Sequence, residues 1–331
     1  VWPGGHGAAV ERAARLIDEL FTQPERYGTT YGALIVRSGC ILAERYGGSL
    51  PHWDRPETPV EPDTPLLSWS MSKSILHAAI GVLVRDGRVD LTASAAVPAW
   101  RGDERAHITL EHLLTMTDGL AFREDYDDLG DSDVTTMLFG DAKGDVAGYA
   151  MGRPLAHRPG STFNYSSGTS NIVARILGDV VGGGEAEVQE FLRREVFDPV
   201  GMSSATVGCD AAGTWVASSY CYATARDYAR FGLLYARDGV WDGRRILPVG
   251  WVDHGRRARH TDTDGQTWHG AHWWSVRDDL SGFRAGGYAG QSILVVPGLD
   301  LVVVRLGQSE SSQYGALTAW RKEVADAFRD S

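Results

Sequence analysis

The 331-residue chain carries a formal net charge of −11, with 43% apolar and 23% charged residues, the profile of a globular protein with one or two cores. No stretch approaches about 18 uninterrupted apolar residues, so no transmembrane helix is expected. The acidic balance disfavours nucleic acid and anionic membranes as partners and leaves small neutral or cationic molecules. The opening Val1-Trp2-Pro3-Gly4-Gly5-His6 lacks the basic and apolar regions of a signal peptide, so a cytoplasmic setting is expected unless a leader has been trimmed. Cys40, Cys209 and Cys221 fit no zinc spacing. They read as free, mostly buried thiols, with a Cys209–Cys221 bridge as the alternative. A homodimer is left open.

In chain order, Ala9, Val10, Ala13, Leu16, Ile17 and Leu20 give Ala8–Phe21 a helical spacing. Tyr31–Val36 and Ile41–Arg45 flank Ser38-Gly39 as a hairpin, and five prolines make Leu50–Pro65 an irregular connection. Ser70–Asp86 is predicted as a helix with a stripe from Ile75 to Val84, capped by Ser68 or Ser70 and stopped at Gly87. A short helix over Ile108–Thr115, a turn at Thr117-Asp118-Gly119 and an acidic loop from Glu124 to Asp133 follow. Ser170–Val180 and Glu185–Phe197 read as helices separated by three glycines, and Thr224–Asp238 as another. Gly287–Val296 and Leu299–Leu306 are predicted strands, and Ala316–Arg329 a closing helix. Strands at both ends with helices between them suggest an α/β (α+β) unit built from the two termini around a helical insertion.

Lysine occurs only at positions 73, 143 and 322, against 29 arginines. Where charge alone suffices this chain uses arginine, so Lys73, three residues after Ser70, is expected to do something arginine cannot. Arginine stays protonated in proteins, whereas a desolvated lysine can lose its proton. A neutral amine beside a hydroxyl can take its proton and leave a nucleophile. On a helix starting near Ser70 the two side chains share a face, and Ser70 meets the unpaired amides of the first turn.

Tyr165 follows the turn-rich Arg158–Asn164 segment and precedes a helix. It can point into a cleft and serve as a base where positive charge lowers its pKa; packing at the helix entrance is the other reading. Several blocks occur in a specific order: Ser70-Met71-Ser72-Lys73, the LLTMTDGL segment Leu113–Leu120, Pro159-Gly160 with Phe163–Gly168, and ATARDYARFG over Ala223–Gly232. Ile246-Leu247-Pro248 and Trp251-Val252 continue the series. Over nearly its whole length the chain thereby resembles the serine β-lactamase-like superfamily of penicillin-binding proteins, class C β-lactamases and related esterases and amidases. It is most similar to the 6-aminohexanoate-dimer hydrolase branch.

The resemblance implies a β-lactamase/transpeptidase-like fold: an antiparallel sheet flanked by helices, from residues 1–66 and 222–331, and a mostly helical region over 67–221, with the active site at their interface. It implies Ser70 as nucleophile, Lys73 and Tyr165 as the groups sharing its proton, and the N–H groups of Ser70 and Tyr288 as an oxyanion hole. Tyr126, Ser167 and Gly287 are implied substrate contacts; no cofactor and no metal are expected. Two departures stand out. Ser167 replaces the asparagine of Tyr-x-Asn, and the segment Phe283–Gln291 lacks the lysine of Lys-Thr-Gly. Those residues help hold a β-lactam, so efficient β-lactam turnover is not expected, Arg284 compensating only in part.

The expected activity is a serine hydrolase of linear amides or esters. Acyl transfer to an amine, and D-alanyl-D-alanine carboxypeptidase or β-lactamase activity, are the alternatives on the same acyl-enzyme. The acidic residues Glu124, Asp125, Asp127, Asp128, Asp131 and Asp133 could attract an amine-bearing substrate or form a solvated loop. Trp273-Trp274 reads as cleft wall or core. His269-x-x-His272 lacks a third ligand and reads as surface or packing.

Overall fold

The computed structural model describes residues 2, 7–51, 56–126, 129–261, 267–275 and 281–329; Asp127 and Asp128 of the acidic segment lie outside them. The first helix, α1 (Ala8–Thr22), leads into strands β1 (Thr29–Arg37) and β2 (Cys40–Tyr46). The chain returns to the same sheet with β3 (His260–Thr261), β4 (Trp268–His269), β5 (Trp274–Ser275), β6 (Phe283–Gly287), β7 (Gln291–Val296) and β8 (Leu301–Gln308). Among the described residues these form one eight-stranded sheet in the order β3-β4-β5-β6-β7-β8-β1-β2, every pair antiparallel.

Side-chain alternation along the central strands buries both faces. Ala33, Ile35, Leu301 and Val303 pack with α1 and the last helix, α5 (Tyr314–Ala327), around Leu16, Leu20 and Trp320. Leu34, Val36, Val302 and Val304 join the larger core on the opposite face. That core is continuous with the helical middle of the chain through α2 (Ser72–Arg85), α3 (Ser167–Val181) and α4 (Ala225–Ala236). In a separate small sheet Cys221–Ala223 is the central strand, pairing with Leu66-Leu67 on one side and Thr206-Val207 on the other.

Several boundaries differ from the sequence expectation, each for a local reason. The strand expected over Gly287–Val296 begins only at Gln291, because a 3₁₀ turn at Tyr288–Gly290 reverses the chain and Gly287 ends the preceding strand. Ser70 lies in a 3₁₀ turn, Trp69–Met71, ahead of α2, and neither Ser68 nor Ser70 caps it. Ser68 is instead spent on the small sheet, its hydroxyl accepting from Cys221 N–H and donating to Ser219 O. α3 begins at Ser167, three residues early, because Ser166 caps it by accepting from Thr169 N–H at 3.0 Å. The helix from Glu185 becomes a π-helical turn over Arg193–Phe197, and Asp133 opens a short helix rather than ending a loop. All three cysteines are free.

Candidate active site

The turn that carries Ser70 is held from below. Ser68 N–H donates to Cys221 O at 2.8 Å, and Tyr228 OH, fully buried, donates to Leu66 O at 2.8 Å and to Cys221 O at 3.1 Å. Trp69 is forced to φ 46°, a left-handed conformation that costs energy for a bulky residue and is retained where surrounding contacts over-determine it. The turn presents Ser70, partly exposed, to a cleft of about 1010 Å³.

Lys73 follows one helical turn later and is 2% exposed; Lys143 and Lys322 are exposed. Its Nζ has three acceptors, Ser70 Oγ at 2.9 Å, Ser167 Oγ at 3.1 Å and Ser218 O at 3.0 Å. These match the three protons of an ammonium. Burial pulls the Lys73 pKa down to about 8, with Glu124 pulling the other way. The sequence therefore places beside the serine hydroxyl an amine that is partly neutral near physiological pH.

Tyr165 packs its ring against Lys73 Nζ, 5.1 Å from the centroid, and lies between Trp274 (5.2 Å) and the edge of His269 (5.8 Å). The preceding residue sets its entry: Asn164 N–H donates to Met116 O and its side-chain amide to Phe122 O, each at 2.9 Å. Asp118 of the Thr117-Asp118-Gly119 turn is buried and accepts from Thr169 Oγ1 at 2.7 Å. The two blocks singled out in the sequence are thus fastened to each other. Trp274 lines the cleft, while Trp273 is wholly in the core. His269 and His272 are buried packing residues; His272 contacts Ser170 Oγ and Leu114 O.

Gly287 ends β6 against the nucleophile turn. A Cβ at that position would lie 2.5 Å from Ser68 O, so only glycine allows this approach. Ser70 and Tyr288 each stand at the beginning of a 3₁₀ turn, where backbone N–H groups lack intrahelical partners. The Tyr288–Gly290 turn is fixed by groups that sequence reasoning missed. Gln291 Nε2 donates to Tyr288 O at 3.0 Å, and Tyr314 OH accepts from Ala289 N–H at 3.0 Å. Arg305, fully buried, donates to Ala289 O and Gly290 O as well as to Tyr27 O and Thr29 O.

Ser167, which the resemblance puts in contact with substrate, has no exposed surface and lies between Lys73 and Glu124. Tyr126 is 41% exposed, lines the cleft, donates to Glu124, and approaches the Tyr288 ring at 5.3 Å. The acidic stretch is largely spent on itself: Arg123 pairs with Asp125 and Asp131, and Arg153 with Asp133. Among the described members it is Glu124 that reaches Ser167 beside Lys73, and only its place in a charged run was legible in the sequence.

The topology and this Ser–Lys pair define the class: the chain belongs to the beta-lactamase family, whose model matches residues 13–327. It is similar to 6-aminohexanoate-dimer hydrolase of Paenarthrobacter ureafaciens, 27% identical over an alignment of 293 residues, which covers 82% of this chain and 71% of that protein. Among solved structures, one from Bacillus anthracis described as a candidate 6-aminohexanoate-dimer hydrolase superposes with a TM-score of 0.82 at 19% identity, covering 100% of this chain and 88% of the other. A penicillin-binding protein of Bacillus halodurans gives 0.71 at 19% identity, covering 92% and 99%. At those identities the structures speak for the fold. The protein is a hydrolase of the beta-lactamase fold related to the 6-aminohexanoate-dimer enzyme.

Proposed function

We propose that the protein cleaves linear amides or esters through an acyl-enzyme on Ser70. The observation that carries this reading is the 2.9 Å contact between Ser70 Oγ and a buried lysine whose pKa is drawn toward neutrality. Neutral Lys73 takes the hydroxyl proton as Oγ bonds to the carbonyl carbon. The carbonyl oxygen becomes an oxyanion and accepts from the N–H groups of Ser70 and Tyr288, donors of a kind worth about 2.7–4 kcal/mol each. Collapse breaks the bond to the leaving amine or alcohol, which receives a proton through Lys73 and Tyr165. Water then attacks the ester carbon, losing its proton to the same pair, and Ser70 is regenerated as the acid departs.

The absence of the Lys-Thr-Gly lysine favours a linear substrate over a β-lactam, and similarity to the 6-aminohexanoate-dimer hydrolase supports the same choice. Intact-protein mass spectrometry after exposure to p-nitrophenyl esters and a fluorophosphonate tests the proposal. The expected result is a single adduct on Ser70, absent from Ser70→Ala. Labelling that persists in Ser70→Ala assigns the nucleophile elsewhere.

A further inference from the structure

One helical turn after Lys73 on α2 stands His77, wholly buried and on the same side of the helix. Both of its ring nitrogens are engaged: Nδ1 lies 2.8 Å from Tyr235 OH on α4, and Nε2 lies 3.1 Å from His254 Nδ1. His254, on the short helix Trp251–Arg256, places its Nε2 2.8 Å from Glu111 Oε2, on the short helix Leu110–Leu114. Trp251 lies against both imidazoles, its ring 4.6 Å from each, and donates Nε1–H to His77 O at 3.0 Å. The packing has no slack. A Cβ on Gly81 would lie 2.4 Å from Trp251 Nε1, and one on Gly255 would lie 2.8 Å from His77 Cε1. None of these groups lines the cleft that holds Ser70.

The order of donors in this series is set from its outer end. Burial raises the Glu111 pKa, but His254, Arg259 and His112 outweigh it and hold the carboxyl below its ordinary value, so it is ionised and only accepts. His254 therefore donates from Nε2–H; neutral, it has a bare Nδ1 that accepts from His77 Nε2–H. His77 Nδ1, also bare, accepts from Tyr235 OH. Burial, and then His254, His272 and Arg259 around it, push the His77 pKa well down, so that ring stays neutral. On its own helix His254 has Asp253 and Arg256, which pair with each other, and Arg259 Nη1 donates to His254 O at 2.7 Å. A proton added to His254 reverses the order: Nδ1 becomes a donor, His77 must carry its hydrogen on Nδ1, and the buried Tyr235 hydroxyl loses its acceptor. We propose that the Glu111–His254–His77–Tyr235 series is a positioning device for Lys73: it fixes the seat of α2 between α4 and the two short helices, and with it the 2.9 Å approach of Nζ to Ser70 Oγ. A reacting group displaced by about 1 Å loses on the order of 10²-fold in rate. The use made of Lys73 rests on the hydrolase reading; its placement does not.

Lysine occurs only at positions 73, 143 and 322, so protein carrying carbon-13 at the lysine ε-carbon gives three NMR signals, and Lys73→Arg identifies the one that matters. His254→Phe keeps a ring against Trp251 but offers His77 no acceptor, whereas His254→Asn restores one near the position of Nδ1. In His254→Phe the Lys73 titration should move by about half a pH unit or more. Acylation by a p-nitrophenyl ester should slow roughly tenfold or more. Lys143 and Lys322 should not respond, and both effects should be reversed in His254→Asn. A folded His254→Phe with a lower Tm but an unchanged Lys73 titration overturns the proposal and leaves the series a structural tie. A shift that His254→Asn fails to reverse overturns it as well. Should His254→Phe not fold, the wild type decides: the Lys73 signal must inflect a second time where the His254 ring, followed by its nitrogen-15 shifts, takes up a proton, and a single inflection refutes the coupling. If no ester acylates Ser70 in the wild type, the hydrolase reading fails while the lysine titration still decides the positioning.

Discussion

Glu124 grips Ser167 with both carboxylate oxygens, accepting from its amide at 2.8 Å and from its hydroxyl at 2.7 Å. The same hydroxyl accepts from Lys73 Nζ, so the carboxylate reaches the lysine across one hydroxyl rather than by direct pairing. A carboxylate in contact would hold the amine protonated and useless as a base. One hydroxyl removed, Glu124 orients the ammonium and raises its pKa without cancelling the effect of burial. Glu124→Gln removes the negative charge that favours the ammonium. The Lys73 pKa should fall, and the rising limb of kcat/KM against pH should move to lower pH by about one unit, or about 1.4 kcal/mol. An unmoved limb in a folded variant refutes the electrostatic role.

The pH profile of the wild type follows from the same lysine. Its pKa is lowered to about 8, so below that pH the amine is mostly protonated and cannot accept the Ser70 proton. Acylation should rise through about pH 8 and level off above it as Lys73 loses its proton. Lys73→Arg should lose roughly 10²–10⁴-fold in acylation at every accessible pH, as the removal of a general base does. Pre-steady-state bursts with a p-nitrophenyl ester measure this directly. A variant that regains activity at high pH shows that charge, not proton acceptance, is what Lys73 supplies.

Tyr165 lies beside the lysine and lines the cleft, which suits delivery of a proton to the departing group. p-Nitrophenolate leaves without a proton, whereas an amine does not. Tyr165→Phe should therefore slow an anilide by roughly 10²-fold or more and the matching p-nitrophenyl ester far less. Equal losses on both substrates place the tyrosine in activating Ser70 instead.

What the sequence revealed and concealed divides along the range of the contacts. Apolar spacing located α1 and α2, because those helices bury a stripe that recurs at about 3.6 residues, and the Ser38-Gly39 turn between two strand-like runs marked the β1–β2 hairpin. Ser70 and Lys73 were legible because one helical turn links them and lysine is rare here. Arg305 and Gln291 were not. Arg305 stands in a continuous apolar strand, and its partners Tyr27 and Thr29 are more than 270 residues away in sequence. The reversal at Tyr288–Gly290 depends on them: Ala289 is held at φ 58° by groups from β8 and α5, and nothing local distinguishes that segment from a strand. Ser167 was visible as a substitution, but its burial against Glu124 was not, since Glu124 belongs to a run of acids whose other described members face one another's arginines.

Gly287 provides the most direct test of the oxyanion geometry. The strand end and the nucleophile turn touch there without a side chain between them, and the atom a new Cβ would meet is the backbone oxygen of Ser68. That oxygen accepts from Met71 N–H within the turn carrying Ser70, so it cannot swing away as a flexible side chain would. In Gly287→Ala either β6 retreats or the turn does, and in both cases the amides of Ser70 and Tyr288 separate. Loss of one donor should lower kcat roughly 10²–10³-fold, with KM nearly unchanged because the charge develops only in the transition state. Arg305→Lys, which keeps the charge but not the fork that holds Ala289 O and Gly290 O, should produce the same kcat-dominated loss together with a lower Tm. Gly287→Ala with wild-type kcat shows that Tyr288 N–H is not a donor, and the second amide must then be sought on another turn.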